Sequence, residues 1–256
     1  MAHFALVAEP DLGAGFRLGA VGTHTSRTIM LSELDRALHT GASGDRLADL
    51  VLEENLFAKA TASGRTLTLQ RLRELYGLDE SIPIFRILVQ LWKRDPKSLP
   101  LLAILAALAR DPLLRATAKP VVGLAPGAEL MRDAIRDQIS GAVGSRLNPS
   151  TIDKVIRNAA SSWAQSGHLT GRTFKRRTPV VATPTALAFA IWLAQAAGIQ
   201  GDAPLSSGWV AVLDLEGPEL RILLERARAA GLLQLRQFGD RTELDASRLS
   251  ELGAAA

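Results

Sequence analysis

The chain has 256 residues and 27.4 kDa, enough for one large domain or two small ones with a real core. Apolar residues make up 47% and charged residues 22%, and Leu and Ala alone account for 82 positions against 5% aromatics, which excludes a disordered chain and argues against an all-β fold. No Cys is present, so disulfides, thiolate metal sites, Cys nucleophiles and iron–sulfur clusters are excluded, and the net charge of +4 says little about partners on its own.

Residues 1–24 hold four Gly without clear periodicity and read as an irregular arm, with a short strand expected at His3–Ala8. A helical pattern begins at Thr25, with Ile29, Leu31, Leu34 and Leu38 on one stripe. Ser43 offers an N-cap to a second helix that turns Leu47, Leu50, Val51, Leu52 and Phe57 inward. A third is expected over Thr66–Tyr76, closed by Gly77, and a fourth over Ile84–Lys93. Leu99–Ala109 is apolar on nearly all sides and predicts the central helix of a bundle over 25–125. Asp111-Pro112 starts another short helix.

The second half differs in its order of elements. A helix over Ala128–Val143 is followed by a break, and Asn148-Pro149-Ser150-Thr151 then supplies a cap and a proline at the first helical position. The next helix carries Ile152, Val155, Ile156, Ala159 and Trp163 on one face and stops at Gly167. His168–Phe174 and Thr178–Ala182 read as short strands joined by a Lys175-Arg176-Arg177 turn, and Thr183-Pro184 opens another helix to about Ala197. Helix, break, capped helix and hairpin is the order of a winged helix-turn-helix unit, expected here over 126–200. A second unit of this kind is expected over 201–256, with a helix from Gly217-Pro218, a hairpin around Gly239-Asp240 and a last helix from Ser247. The expected fold class is therefore mainly α, a helical bundle followed by winged-helix-like units with short β-hairpins. The longest apolar runs, Leu99–Ala109 and Ala186–Ala197, are about half of what a bilayer crossing needs. The N-terminus lacks the basic and apolar regions of a secretory signal, so a cytoplasmic protein is expected.

One segment concentrates charge. From Arg146 to Arg177 there are seven cations (Arg146, Lys154, Arg157, Arg172, Lys175, Arg176 and Arg177) against one acid, Asp153. Lys154, Arg157 and Ser161 form an outward row on the capped helix, with Asn158 beside it and Ser150 at its start. Arg suits guanine edges and phosphates, Asn suits adenine, and Ser suits bases or backbone. The expected duplex-DNA contacts are Ser150, Lys154, Arg157, Asn158 and Ser161 from the helix, and Arg172, Lys175, Arg176 and Arg177 from the wing. The rival reading is a solvated basic face on a helical adapter that binds partner proteins. Other candidates carry less: Gly13, Gly15 and Gly19 lack the strand–helix context of a nucleotide loop, and the adjacent Glu53 and Glu54 diverge on a helix. The four His are scattered, with His24 and His39 expected at the surface or at helix ends, so no metal, cofactor or catalytic group is expected.

The phrases LVLEENLF (Leu50–Phe57), LAALARDPLLR (Leu105–Arg115) and STIDKVIRNAASSWAQSGHL (Ser150–Leu169), with the Ser26-Arg27 opening and the SGR…RL…Y tail to Tyr76, resemble the BrxA family of the bacterial BREX phage-defence systems. The resemblance covers about Thr25 to Pro204. It implies a small, mostly helical, non-enzymatic accessory protein that binds DNA beside the other proteins of a defence system. It supplies no residue-level motif to carry over, and the tail after Pro204 extends beyond it.

Overall fold

The computed structural model describes residues 4, 6–238 and 241–253, and the protein is mainly α-helical. The first half holds α1 (Leu31–His39), α2 (Gly44–Leu52), α3 (Ala62–Tyr76), α4 (Pro83–Arg94), α5 (Leu99–Arg110), α6 (Pro112–Ala116) and α7 (Ala118–Val122). Local chemistry explains their ends. Thr61 caps α3 by accepting from the Gly64 N–H, and Gly77 closes it at φ 90°, a conformation that favours glycine. The Asp111 carboxylate accepts from Leu113 and Leu114 N–H and so starts α6. The central helix α5 is buried from Leu101 to Arg110, as its uniform apolarity requires.

The second half holds α8 (Arg132–Val143), α9 (Pro149–Gln165), β1 (Leu169–Thr170), β2 (Arg176–Arg177) and α10 (Pro184–Ala196). It continues with α11 (Gly208–Ala211), α12 (Gly217–Ala229), β3 (Gln234–Phe238), β4 (Arg241–Asp245) and α13 (Ser247–Glu251). Both strand pairs are antiparallel, β1 with β2 and β3 with β4. The expected turn residues Gly239 and Asp240 lie outside the described residues, as do parts of the strand expected at His3–Ala8, and Leu6, Val7 and Ala8 are not in a strand.

Helix α8 starts at Arg132, four residues later than its pattern suggests. The preceding backbone has other partners: Gly127 N donates to Arg177 O, Leu130 N to Lys175 O, and Arg177 N to Ala128 O. Residues 127–130 thus lie along the outer side of β2, joined to it by an isolated antiparallel bridge between Glu129 and Arg176.

One apolar cluster runs from Leu6 to Leu249, so the core crosses positions 125 and 200. Helix α10 is buried from Thr185 to Ala194 and packs on α4 and α5 on one side and on α11 and α12 on the other. Its burial on all sides is why its sequence reads as an unbroken apolar run. Among the described residues, no helix is long and apolar enough to cross a membrane.

Candidate nucleic-acid interface

Helix α9 is built as the sequence anticipates. The Asn148 side chain accepts from Thr151 N at 2.8 Å, Pro149 occupies the first turn, and Ile152, Val155, Ile156, Ala159 and Trp163 are buried. Trp163 is anchored through its Nε1 to Thr117 Oγ1 at 2.8 Å. Helix α9 packs on the 3-10 turn Thr23–Thr25, α8, β1, α5 and α6, which leaves one side of it in solvent.

Ser150, Lys154 and Arg157 lie on that exposed side, and Ser161 is half-buried on the same row. Ser150 Oγ donates to Asn148 Oδ1 at 2.9 Å, so it reinforces the helix start. Lys154 and Arg157 have no hydrogen-bond or ion-pair partner among the described residues, and the same holds for Arg172, Arg146 and Arg132. The acids nearby are already engaged. Arg136 Nη2 holds Asp153 at 2.8 Å, its Nε lies 3.8 Å from Asp133, and Arg176 is 3.9 Å from Glu129.

The hairpin differs from expectation in register. Its turn is Gly171–Lys175, and Arg176-Arg177 form the second strand. Successive strand residues face opposite ways, so the two arginines part company. Arg176 is exposed and donates to Gly127 O, whereas Arg177 is buried, paired with Asp214, and donates to the carbonyls of His168 and Thr178. Arg177 is therefore a core residue and not a surface contact. Lys175 is half-buried, and its Nζ donates back to Gly171 O at 2.6 Å. Gly171 sits at φ 95°, where a Cβ would come within 2.2 Å of Phe174 O, so this tight turn needs glycine.

Asn158 is also turned away from the outward row. Its Nδ2 donates to His24 O at 2.8 Å, tying α9 to the 3-10 turn Thr23–Thr25. His24 itself is fully buried, contrary to its expected surface position, while His39 ends α1 in solvent.

Around His24 lies a constellation the sequence did not reveal. His24 Nδ1 is 2.8 Å from Asp111 Oδ2, and His24 Nε2 is 2.8 Å from Ser162 Oγ. Ser, His and Asp in a hydrogen-bonded row have the connectivity of a nucleophile triad. Here all three are buried, and Ser162 Oγ also accepts from Ile29 N at 2.9 Å and donates to Asn158 O at 2.8 Å. With its lone pairs and proton so occupied and no open route to it, the row joins α6, α9 and the 3-10 turn as a packed polar bridge. The three residues lie 87 and 51 positions apart along the chain, with no local motif linking them.

Between α8, α9 and the hairpin turn runs a groove of about 750 Å³. Arg157 and Ser161 of α9 line one wall, Arg172 and Phe174 of the turn another, and Met131 and Arg132 a third. Phe174 and Met131 are unusually open for apolar residues, at 64% and 62% exposure. Phe174, Met131 and Arg132 carry no local sequence signal, because only the folded hairpin turn and the start of α8 bring them to this groove. No protein-family model and no curated protein matches this chain.

Proposed function

We propose that α8, α9 and the β1–β2 hairpin act as a winged helix-turn-helix unit that binds duplex DNA without catalysing a reaction. Lys154 and Arg157 approach the major groove, and Arg172 and Arg176 hold the backbone beside it. The observation that carries this reading is the set of exposed, unpaired cations Lys154, Arg157 and Arg172 on two adjoining elements, next to a capped helix N-terminus. The bridge of residues 127–130 to β2 adds support, because it ties the segment that leads into α8 to the hairpin. The resemblance to the BrxA family points the same way, to a DNA-binding accessory protein of a phage-defence system.

A second reading, an adapter for partner proteins, draws on the exposed Leu12, Leu18 and Val21 of the N-terminal arm.

The two separate by salt dependence. A labelled duplex of about 30 base pairs is titrated with protein at several salt concentrations, comparing the wild type with the Lys154→Ala/Arg157→Ala/Arg172→Ala variant. Each lost phosphate contact lowers the log–log salt slope by about one. DNA binding predicts a steep slope in the wild type and a shallower one in the variant, and no binding at low salt rejects it. Arg177 is left intact in this test because its removal would disturb the core.

A further inference from the structure

Phe174 is an aromatic residue that the fold leaves in solvent. Its ring is 64% exposed on a turn held by the strand pairing at both ends and by the Lys175–Gly171 hydrogen bond. The turn therefore presents an apolar ring at a set position above a groove. That groove falls in the range of about 300–1,000 Å³ that holds small ligands. Its floor is apolar, with Ile156 and Ala160, and the half-buried Ser161 hydroxyl has no partner among the described residues. Its rim carries Arg132, Arg136, Arg157, Arg172 and Lys175 against Glu129 and Asp133, an excess of positive charge.

A flat ring, an unpaired hydroxyl and a cationic rim match the parts of a nucleotide: a base face, a base edge and a phosphate. Inside a duplex both faces of every base are covered by neighbours, so only a nucleotide out of the stack offers a free face.

Resting on the DNA-binding reading above, we propose that this groove receives one unpaired nucleotide of a DNA strand. The base stacks on Phe174, its edge meets Ser161, and the flanking phosphates lie on Arg172 and Arg132. The protein then prefers DNA with a bulge or a single-stranded tail over a blunt duplex. The excess of cations on the rim favours this anionic occupant over an apolar peptide segment.

The test is fluorescence anisotropy at one salt concentration with a blunt 20-base-pair duplex and with the same duplex carrying a one-nucleotide bulge. Wild type, Phe174→Leu and Phe174→Trp are compared, each with its helical content checked by circular dichroism. The wild type is expected to bind the bulged duplex at least about fivefold more tightly, as one stacked base supplies. Phe174→Trp should keep that ratio, and Phe174→Leu, apolar but without a ring face, should bring it to about one. Equal wild-type affinity for both duplexes overturns the groove assignment and leaves duplex binding standing. A preference that Phe174→Leu retains overturns it as well. Failure to bind either duplex at low salt removes the DNA reading and this inference with it.

Discussion

Arg177 in β2 is ion-paired with Asp214, 37 residues further along the chain, in the turn between α11 and α12. The other oxygen of that carboxylate accepts from Val180 N at 2.8 Å, so one acid ties the hairpin's second strand to the C-terminal helices. The pair removes one arginine of a basic run from the surface and makes it part of the frame that holds the hairpin.

Arg177→Ala leaves the half-buried Asp214 carboxylate with the Val180 N–H alone and should cost about 2–3 kcal/mol, the order expected when the buried member of an ion pair is removed. Arg176→Ala, one residue away but in solvent, should stay within about 0.5 kcal/mol of wild type. Urea denaturation of the two variants checks the contrast, and similar losses in both would contradict the assignment.

Asn158→Ala should behave as a stability mutation. Losing its bond to His24 O leaves that carbonyl without this donor, at a cost of about 1–2 kcal/mol. If the protein binds DNA as proposed, the salt slope of Asn158→Ala should match wild type, whereas Arg157→Ala should lower it by about one with little change in stability. Parallel melting and binding titrations read both quantities, and a lowered slope in Asn158→Ala would put its side chain back on the DNA face.

Burial pushes the pKa of His168 down to about 4, so the ring is neutral in the fold and is held between Ser166 Oγ and Val212 O. The unfolded chain takes up its proton near the ordinary value of about 6.5. Between those values the unfolded state binds more protons, so stability rises with pH. This contribution should be complete above pH ~6.5 and lost on acidification to pH ~4, by as much as ~3 kcal/mol. Denaturation midpoints at pH 7.5 and 4.5 measure it, and His168→Gln should flatten the difference.

Asp111 titrates in a lower window. Burial opposes its charge, but the His24 ring and the N–H groups of Leu114 and His24 hold the carboxyl below its ordinary value. A depressed carboxyl stabilises the fold above its unfolded pKa of about 3.9, and that stability is lost as pH falls through the folded value. Asp111→Asn should therefore destabilise the protein at pH 7 by at least ~2 kcal/mol and remove the acid-induced loss expected of the wild type below pH ~4. An unchanged acid profile in the variant would show that the His24–Asp111–Ser162 row does not carry this linkage.

Much of the fold was legible because its signals are local. Caps at Asn148, Asp111 and Thr183, glycine at the end of α3, and the all-apolar stretches that became α5 and α10 each act within a few residues. The start of α8 is not legible locally, because residues 127–130 bond to β2 and its approach, more than 40 positions away. In the candidate interface, helical spacing placed Lys154 and Arg157 outward, and the structure agrees.

Local sequence signals specify a mainly α protein, the ends of its main helices and the concentration of cations between Arg146 and Arg177. Tertiary structure alone decided which of those cations are free, turning Arg177 to Asp214 and Asn158 to His24 while leaving Lys154, Arg157 and Arg172 in solvent. It also brought His24, Asp111 and Ser162 together and held Phe174 above a basic groove. The physical reason is range. Caps and periodicity act across one or two turns of chain, whereas a buried polar group must be satisfied by whatever partner folding delivers, however distant in sequence.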